Sequence, residues 1–506
     1  MSQSQDGNFS NSVQWQTLNV GVQILIQLGF IRVLGEYLSE DEWGLLGLVL
    51  GCAGLVEIFA QLGVGPSLVQ RQDLSRPQVS SAFWFSMAMG AAFALAFGLG
   101  APWVAEGFNR PEMEPVLEWA ALSFLLAAFA LVPRSILIRR MDFRSLFWSS
   151  LLAMVLANGI FGIWAATAGW GVYAYIGALL LQNGLLGLQF WWRSGVRVSL
   201  RPHLGAARGL LRYGASSTVF NFLNYAATKL DLLVLGRLLP EGRTAEQGLY
   251  DRSVYLMNTP VTVLGKLSDS VLFSGMSQVQ DERDRLQRIF YGGTYVVTLL
   301  VLPGVVMLEV LMEDVVRILV SSKLLAIVPI ARILVLAILF RSWVKVCDAV
   351  VRAVDTILPA SLIKAGFCVL VAGAAWLGFL YDLRAMAIGM VAATTLQAVA
   401  LLILTQRSIR FSPAQFLRMA RPGLVAGLTA LLGTLPSFWV PCAWGWAVHF
   451  VAGLGGVAAT LVGLAWLRPQ WLRSGEYNLL GQLALKSGSA AMRRRWTSDE
   501  NTSEGP

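Results

Sequence analysis

The chain contains fourteen apolar segments separated by short polar connections. A helix that crosses a bilayer needs about 20 mainly apolar residues. Only 14% of the residues are charged, whereas a soluble domain averages about 25%, so the chain lacks the polar material to cover a water-facing surface. We therefore predict an all-α polytopic membrane protein with about 14 transmembrane helices, at residues 16–35, 43–63, 82–105, 115–133, 146–167, 171–192, 213–236, 248–273, 289–312, 325–344, 357–381, 384–405, 422–437 and 443–467.

A short phrase occurs twice, about two hundred positions apart. GEYLSE at 35–40 precedes WGL at 43–45, and GRLLPE at 236–241 precedes QGL at 247–249. Each copy joins two apolar segments, in the same predicted orientation. Duplicated helix bundles with a site between them are typical of secondary transporters, so the repeat predicts two pseudo-symmetric six-helix lobes and a transport function.

The basic residues fall mainly on alternate connections. With an inside N-terminus, the inner connections hold most Lys and Arg, for example four Arg in 134–144 and five in 193–212. Cytoplasmic loops are enriched in these residues, so we predict that both termini face the cytoplasm. The net charge of +9 follows mostly from this topology and does not indicate nucleic-acid binding.

These patterns predict the following division of the chain. An N-terminal six-helix lobe occupies 1–192, a cytoplasmic connector 193–212, and a C-terminal six-helix lobe 213–406. Helices 13 and 14 occupy 407–467. The polar composition of the cytoplasmic tail, 468–506, predicts that it is partly disordered.

Several ionisable residues fall inside the apolar segments, where each would cost about 2.5–3.5 kcal/mol at a helix centre. Such groups usually face a cavity or a partner, and are functional candidates by default. They include Arg32, Glu57, Lys229, Asp231, Arg252, Lys266, Asp269, Arg332, Arg341 and Lys364.

The seventh segment is the most polar. A lipid-facing helix does not tolerate its polar arc, which comprises Asn221, Asn224, Tyr225, Thr228, Lys229 and Asp231. The side chains of this arc either line a cavity or form hydrogen bonds to neighbouring helices. We favour cavity lining. Arg252 and Lys266 lie fourteen residues apart on nearly one face of the eighth segment, where cavity lining and local pairing are equally good explanations.

The tenth segment carries a stripe of charges at spacings of four, three and four, formed by Arg341, Lys345, Asp348 and Arg352. Lys345 and Arg352 lie where side chains can reach the inner interface, whereas Arg341 is deeper. A cavity lined by Lys and Arg suits a phosphate or pyrophosphate. We predict a substrate site formed by Lys229, Arg252, Lys266, Arg341, Lys345, Asn221 and Asn224.

Two acidic residues are candidates for ion coupling. Asp231 and Glu57 lie in apolar segments, where a carboxylate could bind H⁺ or Na⁺; Glu57 could equally pair with a cation, and we slightly favour that pairing. The spacing of the cysteines and histidines gives no metal site, and no other cofactor or catalytic residue is predicted.

Three stretches resemble bacterial polysaccharide repeat-unit flippases of the Wzx type: LVQRQDL at 68–74 with SAFW at 81–84, residues 132–143, and residues 224–239. The similarity extends over most of 15–440. It implies the multidrug/oligosaccharidyl-lipid/polysaccharide exporter superfamily, with two six-helix lobes around a central cavity. It also implies the substrate, an undecaprenyl-pyrophosphate-linked oligosaccharide of O-antigen or exopolysaccharide.

We therefore predict a flippase, not an enzyme, in the bacterial cytoplasmic membrane. Its partners would be the lipid-linked oligosaccharide, membrane lipids and a polysaccharide polymerase or other assembly proteins. The alternatives are a peptidoglycan-precursor flippase or another exporter of the superfamily, and, from a different class, a membrane glycosyltransferase or polymerase. A drug/cation antiporter would be expected to have an acidic cavity. A glycosyltransferase would be expected to show acid/base groups or a sizeable outer loop.

Overall fold

A computed structural model describes residues 2–61, 64–65, 68, 75–199, 222–223, 225–240, 243–267, 276, 282–354, 356–438 and 446–467. Within these ranges the regular structure is entirely helical. The connector beyond residue 199 and the tail beyond residue 467 lie outside the described residues, and the predicted lobe boundaries there stay predictions.

The helices fall into two groups along the chain. The first group contains α1 (Ser2–Tyr37), α2 (Glu40–Gln61), α3 (Arg76–Leu99), the short α4 (Ala101–Gly107), α5 (Met113–Arg139), α6 (Phe143–Thr167) and α7 (Val172–Ser194). The second contains α8 (225–238), α9 (Thr244–Leu267), α10 (Arg283–Val310), α11 (Met312–Leu319), α12 (Val328–Val335), α13 (Ala337–Ala353), α14 (Ile357–Leu380), α15 (Leu383–Ile409), α16 (Pro413–Phe438) and α17 (Trp446–Leu467).

Local sequence explains where several helices begin and end. The Asp142 and Asp382 carboxylates accept hydrogen bonds from backbone N–H groups in the first turns of α6 and α15, which satisfies donors that have no partner within the helix. Gly195 ends α7 in the left-handed conformation, at φ +59°, which glycine adopts without a steric penalty.

The exterior of the bundle is apolar. Leu188, Leu300, Leu358, Val369 and Leu428 are each more than half exposed. Seven helices among the described residues are long and apolar enough to cross a membrane, or eight if one bent pair counts as a single span. Each of the fourteen predicted segments overlaps a helix, so the predicted fold class, an all-α polytopic membrane protein, is confirmed.

The tenth predicted segment is broken and not straight. A 3₁₀ turn, Ser322–Ile327, leads into α12, and α12 meets α13 at an angle of 48° next to Leu336. The charged stripe of this segment lies entirely on α13, beyond the bend.

Each group of helices packs mainly against itself. In the first group α5 contacts α2, α3 and α7, and α1 contacts α6. In the second group α15 contacts α12, α13 and α14, while α10 contacts α13 and α16. The last two helices, α16 and α17, pack against each other.

The two groups meet along a glycine face of α2, which we call the seam. Gly44, Gly47, Gly51 and Gly54 follow at spacings of three, four and three, so they share one side of the helix. A Cβ atom added to any of them would meet α8 or α9: the Thr244 carbonyl oxygen, the Asp251 side chain, the Leu233 side chain and the Tyr225 ring, respectively. Small residues allow the backbones of membrane helices to approach closely.

The two copies of the repeated phrase touch each other at one end of this seam. A Cβ on Gly44 would lie 3.2 Å from the backbone nitrogen of Gly248, and a Cβ on Gly248 would lie 3.0 Å from that of Gly44 and overlap the Glu40 carbonyl. Equivalent positions of the repeat therefore contact each other reciprocally, as expected near a pseudo-two-fold axis.

One charge inside the second group is explained by pairing. The Lys364 Nζ of α14 donates to the Asp348 Oδ2 of α13 at 2.9 Å, and both side chains are almost fully buried. Lys364 thus joins two neighbouring helices.

We predict that Lys364→Met will destabilise the protein by about 3–5 kcal/mol, because it leaves the Asp348 charge buried without its partner. Thermal unfolding in detergent measures the loss. The double variant Lys364→Met/Asp348→Leu should recover part of it. Arg285→Gln, which removes an exposed pair with Glu282, should have little effect, and equal melting temperatures for the two single variants would contradict this account.

Candidate functional site: a charged cluster at the seam

Charged side chains from three helices of the second group gather where that group meets α2. α8 supplies Lys229 and Asp231, α9 supplies Asp251 and Arg252, and α13 supplies Arg341. Four of these side chains are nearly fully buried, and Lys229 is 28% exposed. Four of the five residues are among those predicted from the sequence.

Asp251 is the shared counter-ion of two of the predicted cations. Its Oδ1 lies 3.6 Å from the Lys229 Nζ, and its Oδ2 accepts a hydrogen bond from the Arg252 Nη2. On the other side the Asp251 carboxylate faces Gly47 of α2, where an added Cβ would lie 3.0 Å from the Asp251 Cγ. The carboxylate therefore fits at the seam because α2 has no side chain at that position.

Arg252 also crosses the seam. Its guanidinium carbon lies 4.0 Å from the centroid of the Trp43 ring on α2, and 5.3 Å from that of Tyr255 on its own helix. A guanidinium over an aromatic face is attracted by the ring quadrupole, by about 2 kcal/mol or more when the pair is desolvated. Arg252 thus contacts the Asp251 carboxylate of the second helix group and the Trp43 ring of the first.

A second set of contacts lies beside the first. The Asp231 carboxylate accepts hydrogen bonds from the Tyr250 hydroxyl at 2.9 Å and from the Leu232 backbone N–H at 2.8 Å. The Arg341 Nη1 donates to the Asn258 Oδ1 at 2.5 Å. Arg341 also interacts electrostatically with Asp231, so the charges of α8 and α13 are coupled.

The cluster retains a positive charge when its carboxylates are ionised. Lys229, Arg252 and Arg341 supply three positive charges, against two negative charges from Asp231 and Asp251. Lys229 and Arg252 share the Asp251 carboxylate, and within the described residues neither forms a salt bridge with a carboxylate of its own. An anion with several oxygens could bind both cations at once, through the bidentate geometry of Arg and the point charge of Lys.

The predicted stripe on α13 does not act as a single unit. Arg341 faces α9 through Asn258, whereas Asp348 pairs with α14 and Arg352 donates to the Asp348 backbone carbonyl. Lys345 is half-buried on the same helix. Arg341 is therefore the residue of the stripe that joins the charged cluster.

The other predicted site residues are placed as follows. Lys266 lies near the end of α9, and its side chain, like Asn221 and Asn224, is outside the described residues. Glu57 lies on α2 and interacts electrostatically with Arg134 of α5, which supports the pairing favoured for it from the sequence.

One residue of the cluster, Asp251, and the aromatic residue Trp43 that contacts it through Arg252 were not predicted from the sequence. Asp251 precedes Arg252 directly, so a carboxylate beside a predicted cation was visible in the chain. Trp43 lies inside the repeated phrase, at the position that Gln247 occupies in the second copy. Its role depends on which helix faces α2, and sequence spacing alone does not give that.

Comparison with known proteins agrees with this architecture. A model of the polysaccharide biosynthesis protein family matches residues 33–329, more than half of the chain. The chain belongs to this family. The resemblance to polysaccharide flippases drawn from the sequence motifs is thereby confirmed at the level of family.

The names of two curated relatives also refer to polysaccharide biosynthesis. The lipopolysaccharide biosynthesis protein WzxC of Escherichia coli (strain K12) is 24% identical over 64% of this chain and 66% of its own length. The succinoglycan biosynthesis transport protein ExoT of Rhizobium meliloti (strain 1021) is 26% identical over 61% of this chain and 63% of its own length. The chain thus spans about two thirds of the relatives that it matches.

Solved structures show the same fold. Lipid II flippase MurJ in an inward closed conformation aligns with a TM-score of 0.68 and 14% identity, over 91% of this chain and all of the other. An inward-facing multidrug resistance MATE family transporter of the MOP superfamily aligns at 0.62 and 17% identity, over 77% and 94%. The chain is a multi-span membrane protein with this transporter fold, and these relatives are transporters and flippases rather than enzymes.

We predict that Asp251→Asn will destabilise the protein by about 3–5 kcal/mol, because Lys229 and Arg252 lose the one carboxylate that both contact. Adding Lys229→Met should recover part of the loss by removing one of the two unpaired charges. Thermal unfolding of both variants in detergent measures this. Failure of Lys229→Met to restore any stability would show that Asp251 does not serve as a common counter-ion.

Proposed function

We propose that the protein is a flippase that moves an undecaprenyl-pyrophosphate-linked oligosaccharide, a repeat unit of O-antigen or exopolysaccharide, across the bacterial cytoplasmic membrane. The family, the transporter fold and the names of the curated relatives support this proposal. The observation that carries it is the charged cluster at the seam, in which two cations share one carboxylate.

The cluster suits the diphosphate of such a substrate. Lys229, Arg252 and Arg341 would bind the phosphate oxygens, while the polyprenyl chain stays in the lipid that surrounds the apolar exterior. Lys266, Lys345, Asn221 and Asn224 remain proposed members of this site. Rocking of the two helix groups would then carry the headgroup across, and a ligand can drive that switch only by binding the two states with different affinity.

Transport against a gradient requires a source of free energy, and we propose that a coupling ion, H⁺ or Na⁺, supplies it. Asp231 is the better-placed candidate because it is buried and interacts electrostatically with Arg341. Binding of a cation at Asp231 would weaken its hold on Arg341 and release the guanidinium for substrate. Glu57 remains a second candidate.

The proposed direction of transport follows from the predicted orientation. With both termini in the cytoplasm, the connections that carry the repeated phrase face the outside, and so does the Gly44–Gly248 end of the seam. A polymerase acting on the outer leaflet would take up the translocated unit, so we propose such an enzyme as a functional partner.

Arg341→Gln is expected to reduce surface glycan to background at an unchanged protein level, because loss of a charge-assisted hydrogen bond to phosphate costs about 1.5–3 kcal/mol. Glycan is measured by gel and lectin blot in cells that lack the chromosomal copy. Arg285→Gln is the matched control, since Arg285 is exposed and distant in sequence from the cluster. Normal glycan with Arg341→Gln would remove this residue from the site.

Deletion of the protein should also lead to accumulation of unpolymerised lipid-linked repeat units facing the cytoplasm. Mass spectrometry of extracted lipids identifies them. If peptidoglycan precursors accumulate instead, the protein is a flippase for that pathway. If the intermediates lack a sugar or a linkage, the protein is a transferase and the flippase proposal fails.

The orientation has its own test. A fluorescent protein fused after Pro506 should fold and fluoresce, whereas alkaline phosphatase fused there should be inactive, because that enzyme folds only outside the cytoplasm. The reverse pattern would invert the topology, and with it the direction of transport.

A further inference from the structure

A cation from one helix group lies on an aromatic ring of the other at the closed end of the seam. The Arg252 guanidinium reaches from α9 to the face of Trp43 on α2 at 4.0 Å. Its second aromatic neighbour, Tyr255, belongs to its own helix and lies farther away, at 5.3 Å. Of these two contacts only the one with Trp43 joins the two groups.

The backbones are in contact beside this pair. Gly44 follows Trp43 directly and packs against Gly248, one turn before Arg252. A side chain on either glycine would push α2 and α9 apart. The ring therefore reaches Arg252 only while the seam is closed at this point.

The closed seam leaves polar atoms without hydrogen bonds. Among the described residues the Trp43 Nε1, the Arg252 Nε and both amide atoms of Gln247 are buried and have no hydrogen-bond partner. Trp43 and Gln247 occupy equivalent positions of the repeat, on opposite sides of the seam. Water would form hydrogen bonds with these atoms if the seam opened. The buried atoms therefore destabilise the closed state, and contacts across the seam have to offset that cost.

We propose that Trp43 is a positioning residue that latches this end of the seam by holding Arg252, and that a phosphate-bearing ligand releases the latch by taking Arg252 away. Phosphate oxygens form charge-assisted, bidentate hydrogen bonds with a guanidinium, and these compete with the aromatic face. Occupation of the site is thus transmitted to the opposite group of helices. The ligand half of this proposal rests on the proposed function; the latch itself does not.

The latch is tested with a reporter cysteine in the seam. Cys52, Cys347, Cys368 and Cys442 are replaced with serine or alanine, and Gln247→Cys is introduced at a position that is fully buried when the seam is closed. The rate of labelling by a maleimide is then measured for the full chain in detergent. Trp43→Leu should raise the rate about thirtyfold, because the desolvated cation–π contact is lost, and Trp43→Phe should restore a slow rate.

Tyr255→Leu is the matched control. It removes an aromatic neighbour of the same guanidinium but leaves the contact across the seam intact, so labelling should stay slow. If Trp43→Leu labels as slowly as the parent, or if Tyr255→Leu labels as fast as Trp43→Leu, the latch is wrong.

Glycine variants test the same point without altering the aromatic ring. Gly248→Ala should speed labelling, because its Cβ overlaps the Glu40 carbonyl, whereas Gly29→Ala should not, since a Cβ there has no neighbour within 4 Å. Equal slow rates for both would show that forcing α2 and α9 apart at Gly248 does not expose the reporter, which contradicts the latch. A monodisperse elution profile for each variant excludes unfolding as the cause of fast labelling.

The ligand half is tested with inorganic pyrophosphate, with sulfate as the control anion. Pyrophosphate should raise the labelling rate of the parent reporter and leave that of an Arg252→Gln reporter unchanged. No effect on the parent would overturn release by phosphate. Fast labelling of Trp43→Leu together with normal surface glycan in Arg341→Gln cells would keep the latch and count against the substrate site, so the two proposals fail separately.

Discussion

The close approach of α2 to α8 and α9 is the constraint on which the rest of the structure depends. Four glycines on one face of α2 let the two helix groups meet at backbone distance, and each of the four faces a specific residue of the second group. At this distance a carboxylate of α9 fits into the space left by Gly47. A larger residue there would exclude Asp251, and with it the counter-ion of two cations.

The two copies of the repeat are related by pseudo-symmetry, but their equivalent positions carry different side chains. Gly44 and Gly248 are equivalent and touch, but the next equivalent positions differ: Gly47 corresponds to Asp251, and Leu48 to Arg252. One copy provides an apolar, glycine-lined surface and the other provides the charges. Charges on both copies would face like charges across the axis, which destabilises a low-dielectric interface, so the asymmetry follows from the close contact.

Much of the fold could be predicted from the sequence, because the length and apolar composition of each segment identify a membrane-spanning helix without knowledge of the helices that pack against it. The ion-pair partners of the charged residues could not be predicted in this way. Lys364 is out of place in an apolar segment, but its pairing with Asp348 depends on which faces of α13 and α14 meet. Asp251 is easily overlooked beside Arg252, although it is the residue that links two predicted cations. The glycine spacing on α2 is readable in the chain and could have indicated the seam.

The Lys364–Asp348 pair also bears on how the protein is made. Asp348 precedes Lys364 by sixteen residues, and the two residues lie on the consecutive helices α13 and α14. Either helix alone would carry an uncompensated charge into lipid during synthesis, at a cost of a few kcal/mol. The ion pair of Asp348 and Lys364 carries no net charge. The biosynthetic machinery should therefore release α13 and α14 into the bilayer as a pair, with the first helix retained until the second has emerged.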